Sequence, residues 1–352
     1  MIKSKALGET GSEGSAPSGV LPVIAYDTTP SPDQATLAVW AAGLNLPARH
    51  WQIVRRLAGR VVALGSERDW DPDLVLKAGP AVIHAERLAR AVAGARLLAT
   101  AAERAGAEAN WLAAPDAAAW QTVRLGAVAL ASGPFVVGSP IAPERQLSST
   151  EAAALTAEAP TLASVAHSIE AFTGLLPLSI NFERETYANM LMARTADRLR
   201  HLTATDGLDL SEARALETDL ARRLAIAPLR PVFGHGELTA WHILRTPVGR
   251  LALIDLETAG IGGPAGIDMS VLVMRTWALN GAPAAARLAL AAYLDLAGSG
   301  AARNRQIDEL AWQWPYAALR TRDESRAWSD RTTARSFWAW ATGPSLLPEK
   351  DR

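Results

Sequence analysis

Pro231-Val-Phe-Gly-His-Gly-Glu-Leu-Thr-Ala-Trp-His-Ile-Leu-Arg245, followed closely by Gly249-Arg-Leu-Ala-Leu-Ile-Asp-Leu-Glu-Thr-Ala-Gly260, decides how this chain is read. Val232 and Phe233 form one apolar run, Ile243 and Leu244 a second, and Leu251 to Ile254 a third, with Pro247-Val-Gly249 as a turn. The pattern predicts strand, polar loop, strand, tight turn, strand. The loops carry His235, Glu237, His242, Asp255 and Glu257, five ionisable side chains within 23 residues. Such groups at the ends of buried strands are costly to desolvate unless they pair or hold a metal, which makes the cluster a candidate site. A polar hairpin end with solvated charges is the plainer alternative, and the apolar strands argue against it.

The surrounding chain of 352 residues is long enough for one large domain or two lobes with an ample core. Its 49% hydrophobic and 20% charged residues are those of a globular protein. A net charge of -1 argues against nucleic acid as a partner. No apolar run is long enough to span a bilayer, and the N-terminus lacks the apolar core of a signal peptide, so a cytoplasmic protein without a membrane partner is expected. The absence of cysteine excludes disulfides and thiolate chemistry. Only four lysines occur, Lys3, Lys5, Lys77 and Lys350, and three of them lie near the ends. Lys77 is the single interior lysine in a chain that otherwise uses arginine, and the two cations are not interchangeable.

Residues 1–20 read as a Gly/Ser-rich disordered tail. Ser31 is the expected cap of a first helix through Leu37, Trp40 and Leu44. A hairpin is predicted over 49–65 with its turn at Ala58-Gly59-Arg60, then a strand at Leu74–Lys77 and an alanine-rich helix from Ala81 to Ala105. Single strands are expected at Thr122–Leu130 and Pro134–Ile141. Beyond a capping box at Ser148-Ser-Thr-Glu151 the patterns are helical, ending with Gln306–Leu319 and Ser325–Trp340. The late tryptophans read mainly as core; a pocket lined by Trp312, Trp314 and Tyr316 is the sharper alternative.

His235-Gly236-Glu237 with His242-Ile243-Leu244 resembles the catalytic loop of the aminoglycoside phosphotransferase family, His-Gly-Asp-x-x-x-x-Asn-Ile-Leu. Ile254-Asp255-Leu256-Glu257, Ala259-Gly-Ile-Gly-Gly-Pro264 and Asp268 are similar to its metal-binding segment. The resemblance implies an α+β, two-lobed protein-kinase-like fold. A small N-terminal lobe of antiparallel sheet with one main helix would span residues 21–141, and a larger, mainly helical lobe residues 142–345. It also implies an ATP- or GTP-dependent transfer of phosphate to a small-molecule hydroxyl with Mg²⁺ or Mn²⁺. Carried over by position, Glu237 and His235 become catalytic-loop residues, and Asp255, His242 and Glu257 the metal set. Lys77, Gly59, Gly138 and Ile141 would contact nucleotide, with Gly138 to Ile141 as the hinge against adenine. The helix glutamate expected to pair with Lys77 is open between Glu86 and Glu103, while the register that best fits the family puts Gly94 there.

The departures matter chemically. Glu237 keeps a carboxylate where the family has aspartate but adds a methylene, and displacement of about an ångström can cost ~10²-fold in rate. His242 stands in place of asparagine, and neutral imidazole suits Zn²⁺ or Mn²⁺ better than Mg²⁺. Gly263 replaces an aspartate, Asp268 falls one residue late, and only Gly59 marks the phosphate loop. A pseudokinase-like binding protein, with a protein partner and little transfer, is the second expectation. Aminoglycosides would need an acidic rim, for which Asp308, Glu309, Asp323 and Glu324 are the candidates.

Overall fold

The structure, a computed structural model, describes residues 32–324 except 48, 58, 69–70, 177–183, 206–207 and 227–228. The expected tail, the Ser31 cap and the helix at Ser325–Trp340 lie outside the described residues.

The described residues open with α1 (Gln34–Gly43), capped by Asp33, whose Oδ1 accepts the Thr36 amide at 2.8 Å. Then come β1 (His50–Leu57), β2 (Arg60–Ser66), β3 (Pro72–Pro80), α2 (Ala81–Ala105), β4 (Gln121–Leu125) and β5 (Val128–Pro134). The five strands form an antiparallel sheet in the order β1-β2-β3-β5-β4. The single strand expected at Thr122–Leu130 is therefore a hairpin, broken at Gly126, which takes φ 59°. Strand alternation sorts β3 into two faces: Leu76 and Ala78 join Leu37, Trp51, Ala63 and Leu130 in the small-lobe core, and Lys77 lies on the opposite face.

The short β6 (Ser139–Pro140) leaves the sheet and begins the helical part: α3 (Ser149–Ala157), α4 (Ala159–Ala171), α5 (Arg184–Thr205) and α6 (Leu210–Ile226). Next are β7 (Pro231–Gly234), β8 (Ile243–Arg245), β9 (Leu251–Leu253) and β10 (Gly260–Pro264), then α7 (Ile267–Ala278), α8 (Pro283–Leu296) and α9 (Ala301–Glu324). The Ser148 capping box forms as expected, with Ser148 and Glu151 bonded reciprocally. β6 pairs with β8, which pairs with β9, and β7 pairs with β10. The predicted alternation of strand and loop over 231–260 is thus present, and each charged loop crosses from one of these sheets to the other.

α2 links the two parts. Its first half buries Ala81, Leu88 and Val92 against Ala129 and Ala131 of β5. Its second half puts Ala95, Leu98 and Ala101 into the large-lobe core with Leu162, Phe233 and Tyr293. Gly94 sits at the crossover, where an added Cβ would stand 2.8 Å from the Ala259 Cβ and 3.0 Å from the Leu256 carbonyl oxygen. The helix thereby rests directly on the segment that carries Asp255 and Glu257. Among the described residues, no helix is long and apolar enough to cross a membrane.

Candidate active site

β7 delivers the chain into His235-Gly236-Glu237. Asp268, buried at the start of α7, accepts the backbone N–H of His235 at 2.6 Å and of Gly236 at 2.8 Å. Burial pushes its carboxyl up, while those amides pull the other way. His235 Nε2 lies 2.7 Å from the Ile254 carbonyl, which can only accept, so Nε2 donates. Thr258 Oγ1 donates in turn to the His235 carbonyl at 2.9 Å. Gly236 has φ 76°, and a Cβ there would stand 2.7 Å from the Thr258 carbonyl oxygen, so glycine is required on both counts. The two charged loops are stitched together by backbone.

His242 follows the same logic. Its Nδ1 donates to the Glu237 carbonyl at 2.9 Å, which leaves the Nε2 lone pair 3.7 Å from Asp255 Oδ2. Burial, then the neighbouring His235, pushes its pKa down to about 4, so the ring is neutral at pH 7. Asp255 itself adopts the left-handed conformation, φ 59° and ψ 48°, one of two non-glycine residues with positive φ among the described residues. Aspartate tolerates this better than most residues, and such strain persists only where its surroundings enforce it.

Lys77 reaches this pair from the sheet. Its Nζ stands 2.8 Å from Asp255 Oδ1 and 2.7 Å from Glu257 Oε1. Burial alone would raise the Asp255 carboxyl, but the Lys77 ammonium holds it well below the usual carboxylate range. Glu257, with no exposed surface, also contacts Arg60 at the start of β2 and, at 2.6 Å, the Arg87 Nε of α2. Glu237 has its own partners: Arg275 Nη2 of α7 at 3.1 Å and Arg320 Nη2 of α9 at 2.9 Å, both on Oε1. Its Oε2 has a more distant cation, the Arg87 Nη2 at 3.9 Å. Arg87 thus spans the carboxylates of Glu237 and Glu257.

The structure brings Lys77, His235, Glu237, His242, Asp255 and Glu257 into one cluster. Glu86 is not in it: its side chain is 84% exposed and lies 3.9 Å from Arg90. Glu103 is exposed near the end of α2. The expected helix glutamate is corrected to Glu257, because the helix presents Gly94 at its approach to this segment and leaves no room for a side chain. Gly59 is in the β1–β2 turn with φ 75°, packed near Pro80. Gly138 and Ile141 flank β6; the Ile141 amide donates to the Ile243 carbonyl at 2.9 Å, and a Cβ on Gly138 would meet the Arg245 carbonyl at 2.9 Å. Trp312, Trp314 and Tyr316 are buried core residues. Of the acidic-rim candidates, Glu309 is buried and bonded to Arg230, and the side chains of Asp323 and Glu324 lie outside the described residues.

Arg60, Arg87, Arg275 and Arg320 were not singled out by sequence. Only Arg60 carried a signal, as a charge opening the apolar strand Val61-Val-Ala-Leu64. Among the described residues, no three His, Asp or Glu side chains converge as a metal cage. Asp255 and His242 nevertheless point two lone-pair groups at each other, a donor set that a divalent cation with phosphate oxygens and water would complete.

The sequence profile of the phosphotransferase enzyme family matches residues 54–306. No curated protein sequence matches the chain significantly. Among solved structures, the ethanolamine kinase of Plasmodium vivax is similar at a TM-score of 0.57 and 11% identity, over 91% of this chain and 93% of that one. An ADP-bound aminoglycoside phosphotransferase is similar at 0.50 and 13% identity, over 87% and 96% of the two chains. The choline kinase of Cryptosporidium parvum gives 0.50 and 11%, over 83% and 88%. At these identities the likeness shows the fold: two lobes of the protein-kinase-like type.

Proposed function

Because the chain belongs to the phosphotransferase enzyme family, we propose that it transfers the terminal phosphoryl group of ATP or GTP to the hydroxyl of a small molecule. The observation that carries this reading is the 2.8 Å contact of Lys77 with Asp255, which joins the sheet of the small lobe to the metal segment of the large one. We take the lobes to divide between residues 141 and 142, with Gly138 to Ile141 packing against the base and Gly59 turning the β1–β2 hairpin above the phosphates.

Phosphoryl transfer needs positioning and charge neutralisation more than covalent chemistry. Lys77, with Arg60 beside the same carboxylate, supplies cationic donors to the phosphates where a glycine-rich loop is lacking. Glu257 anchors these cations and is no direct metal ligand in this reading, since Lys77, Arg60 and Arg87 already engage its carboxylate. Asp255 and His242 would hold Mg²⁺ or Mn²⁺, which when bound neutralises charge on the phosphate oxygens. Glu237 Oε1 is held by two guanidiniums, so Oε2 is the oxygen left to accept a proton. As the acceptor oxygen bonds to phosphorus, the bond to the nucleoside diphosphate breaks and the hydroxyl proton passes to Oε2. His235, bonded to Ile254, positions the loop rather than moving protons.

Nucleotide hydrolysis without acceptor, where water takes the hydroxyl's place, tests this. Wild type should exceed Glu237→Ala and Asp255→Ala by ~10²-fold, the order expected for a general base or a charge-stabilising group. Stabilisation by nucleotide with no turnover above these variants would establish the binding-only alternative instead.

A further inference from the structure

Resting on that reading, we infer that Arg87 of α2 is a further catalytic residue: its guanidinium binds oxygens of the phosphoryl group in transit from nucleotide to acceptor. Five cations surround the carboxylates of Glu237, Asp255 and Glu257: Arg60, Lys77, Arg87, Arg275 and Arg320. Four of them donate hydrogen bonds to these carboxylates: Arg60 and Lys77 to Glu257, Lys77 also to Asp255, and Arg275 and Arg320 to Glu237. Among the described residues, Arg87 makes ion pairs only. Its Nε comes within 2.6 Å of Glu257 Oε2 but out of line for a hydrogen bond, so that buried nitrogen is left without an acceptor. Its Nη2, 3.9 Å from Glu237 Oε2, is beyond hydrogen-bond reach. Charge holds this guanidinium in place while its donors stay unused, and a buried donor left unmatched is costly.

The position of Arg87 suits the step. Under the proposed function Lys77 and Asp255 mark the end of the site that takes the donor phosphates, and Glu237 Oε2 marks the acceptor end. Arg87 joins the two, with one nitrogen beside the carboxylate that Lys77 shares and another towards Oε2. In transfer the acceptor oxygen bonds to phosphorus as the bond to the leaving diphosphate oxygen breaks. That oxygen keeps the electron pair, and the acceptor's proton goes to Glu237 Oε2. Charge is then spread over the three oxygens that travel with phosphorus, and a planar guanidinium fork fits two of them. With 38% of its side chain exposed, Arg87 is not sealed off from an incoming ligand. If it served only to hold Glu257, its loss would act through Lys77, weakening nucleotide binding as much as turnover.

The test compares the full chain as wild type, Arg87→Gln and Arg87→Lys, with Mg²⁺ and whichever of ATP and GTP the wild type hydrolyses. Arg90→Gln is the control, one turn further along α2, where Arg90 is 54% exposed and lies 3.9 Å from Glu86. Three quantities are measured: hydrolysis without acceptor, affinity for a non-hydrolysable triphosphate analogue, and affinity for the diphosphate with and without aluminium fluoride, a mimic of the phosphoryl group in transit. Arg87→Gln should lower kcat by ~10²-fold or more, leave analogue affinity little changed, and abolish the tightening of the diphosphate by aluminium fluoride. Arg87→Lys should recover part of both losses, and Arg90→Gln should match the wild type. Equal turnover in Arg87→Gln and wild type, a loss of analogue affinity as large as the loss of turnover, or the same response to aluminium fluoride in both would overturn the inference. Analogue affinity in each variant also reports that it is folded. A wild type that hydrolyses neither nucleotide would remove the enzyme reading and the inference with it, so the two failures are told apart.

Discussion

At the scale of single residues, the site depends on how each carboxylate is held. Glu237 is one methylene longer than the family's aspartate, and Arg275 and Arg320 fix one of its oxygens, which counters the freedom the extra methylene brings. On the proposed reading Glu237→Gln keeps the shape but removes the base, and should lower turnover by ~10²-fold with little change in nucleotide affinity, as measured by ADP release and titration. Glu170 offers a second test away from the chemistry. It is buried on α4, accepts the Gly266 amide at 2.6 Å and the Tyr293 hydroxyl at 3.0 Å, and burial raises its pKa from 4.5 to about 7. An acid with a raised folded pKa binds its proton more tightly when folded. Its contribution is therefore most favourable below pH 4.5 and is lost as pH rises to about 7. Relative to Glu170→Gln, the wild type should lose up to about 3 kcal/mol between pH 4.5 and 7.5 in denaturant unfolding; parallel pH profiles would contradict the assignment. Lys77 was legible because lysine is scarce: 35 basic residues include only four lysines. Arg60, Arg87, Arg275 and Arg320 were not legible for the same reason, since one arginine among so many has no contrast and its partners lie far along the chain.

Among the elements, α2 does most to assemble the site. Its span, Ala81–Ala105, was legible from the alanine-rich run and the Gly-Pro break before it, and Gly106 ends it with φ 55°. What it packs against was not legible, because Gly94 reads from sequence only as a weak point in a helix. In the fold it is a contact point, and Gly94→Ala should destabilise by ~1–3 kcal/mol despite alanine's higher helix propensity, as read from denaturant midpoints. A neutral or stabilising effect would mean that α2 does not press on Leu256 and Ala259. The strands β7 to β9 followed their apolar runs closely. The β4–β5 hairpin was missed because one glycine, Gly126, makes the turn within an otherwise strand-like run. The α1 cap is Asp33, because the aspartate side chain reaches the Thr36 amide.

For the whole molecule, the two-lobed fold was legible through the motif pair and its spacing, and the identity of the acceptor was not, because no motif in the chain specifies it. The lobes meet where Lys77, Asp255 and Glu257 converge, and a nucleotide bound there must engage residues from both. A ligand at one hundred times its Kd stabilises a native protein by ~2.7 kcal/mol, enough to raise Tm measurably. The measurement that bears most directly on this account is calorimetric titration of ATP and GTP in the presence of Mg²⁺ or Mn²⁺ into wild type, Lys77→Ala and Asp255→Asn. One saturable site in the wild type, weakened at least tenfold in each variant and dependent on the metal only while Asp255 is intact, is the predicted result. No binding of either nucleotide with either metal, or equal affinity in all three proteins, would contradict it.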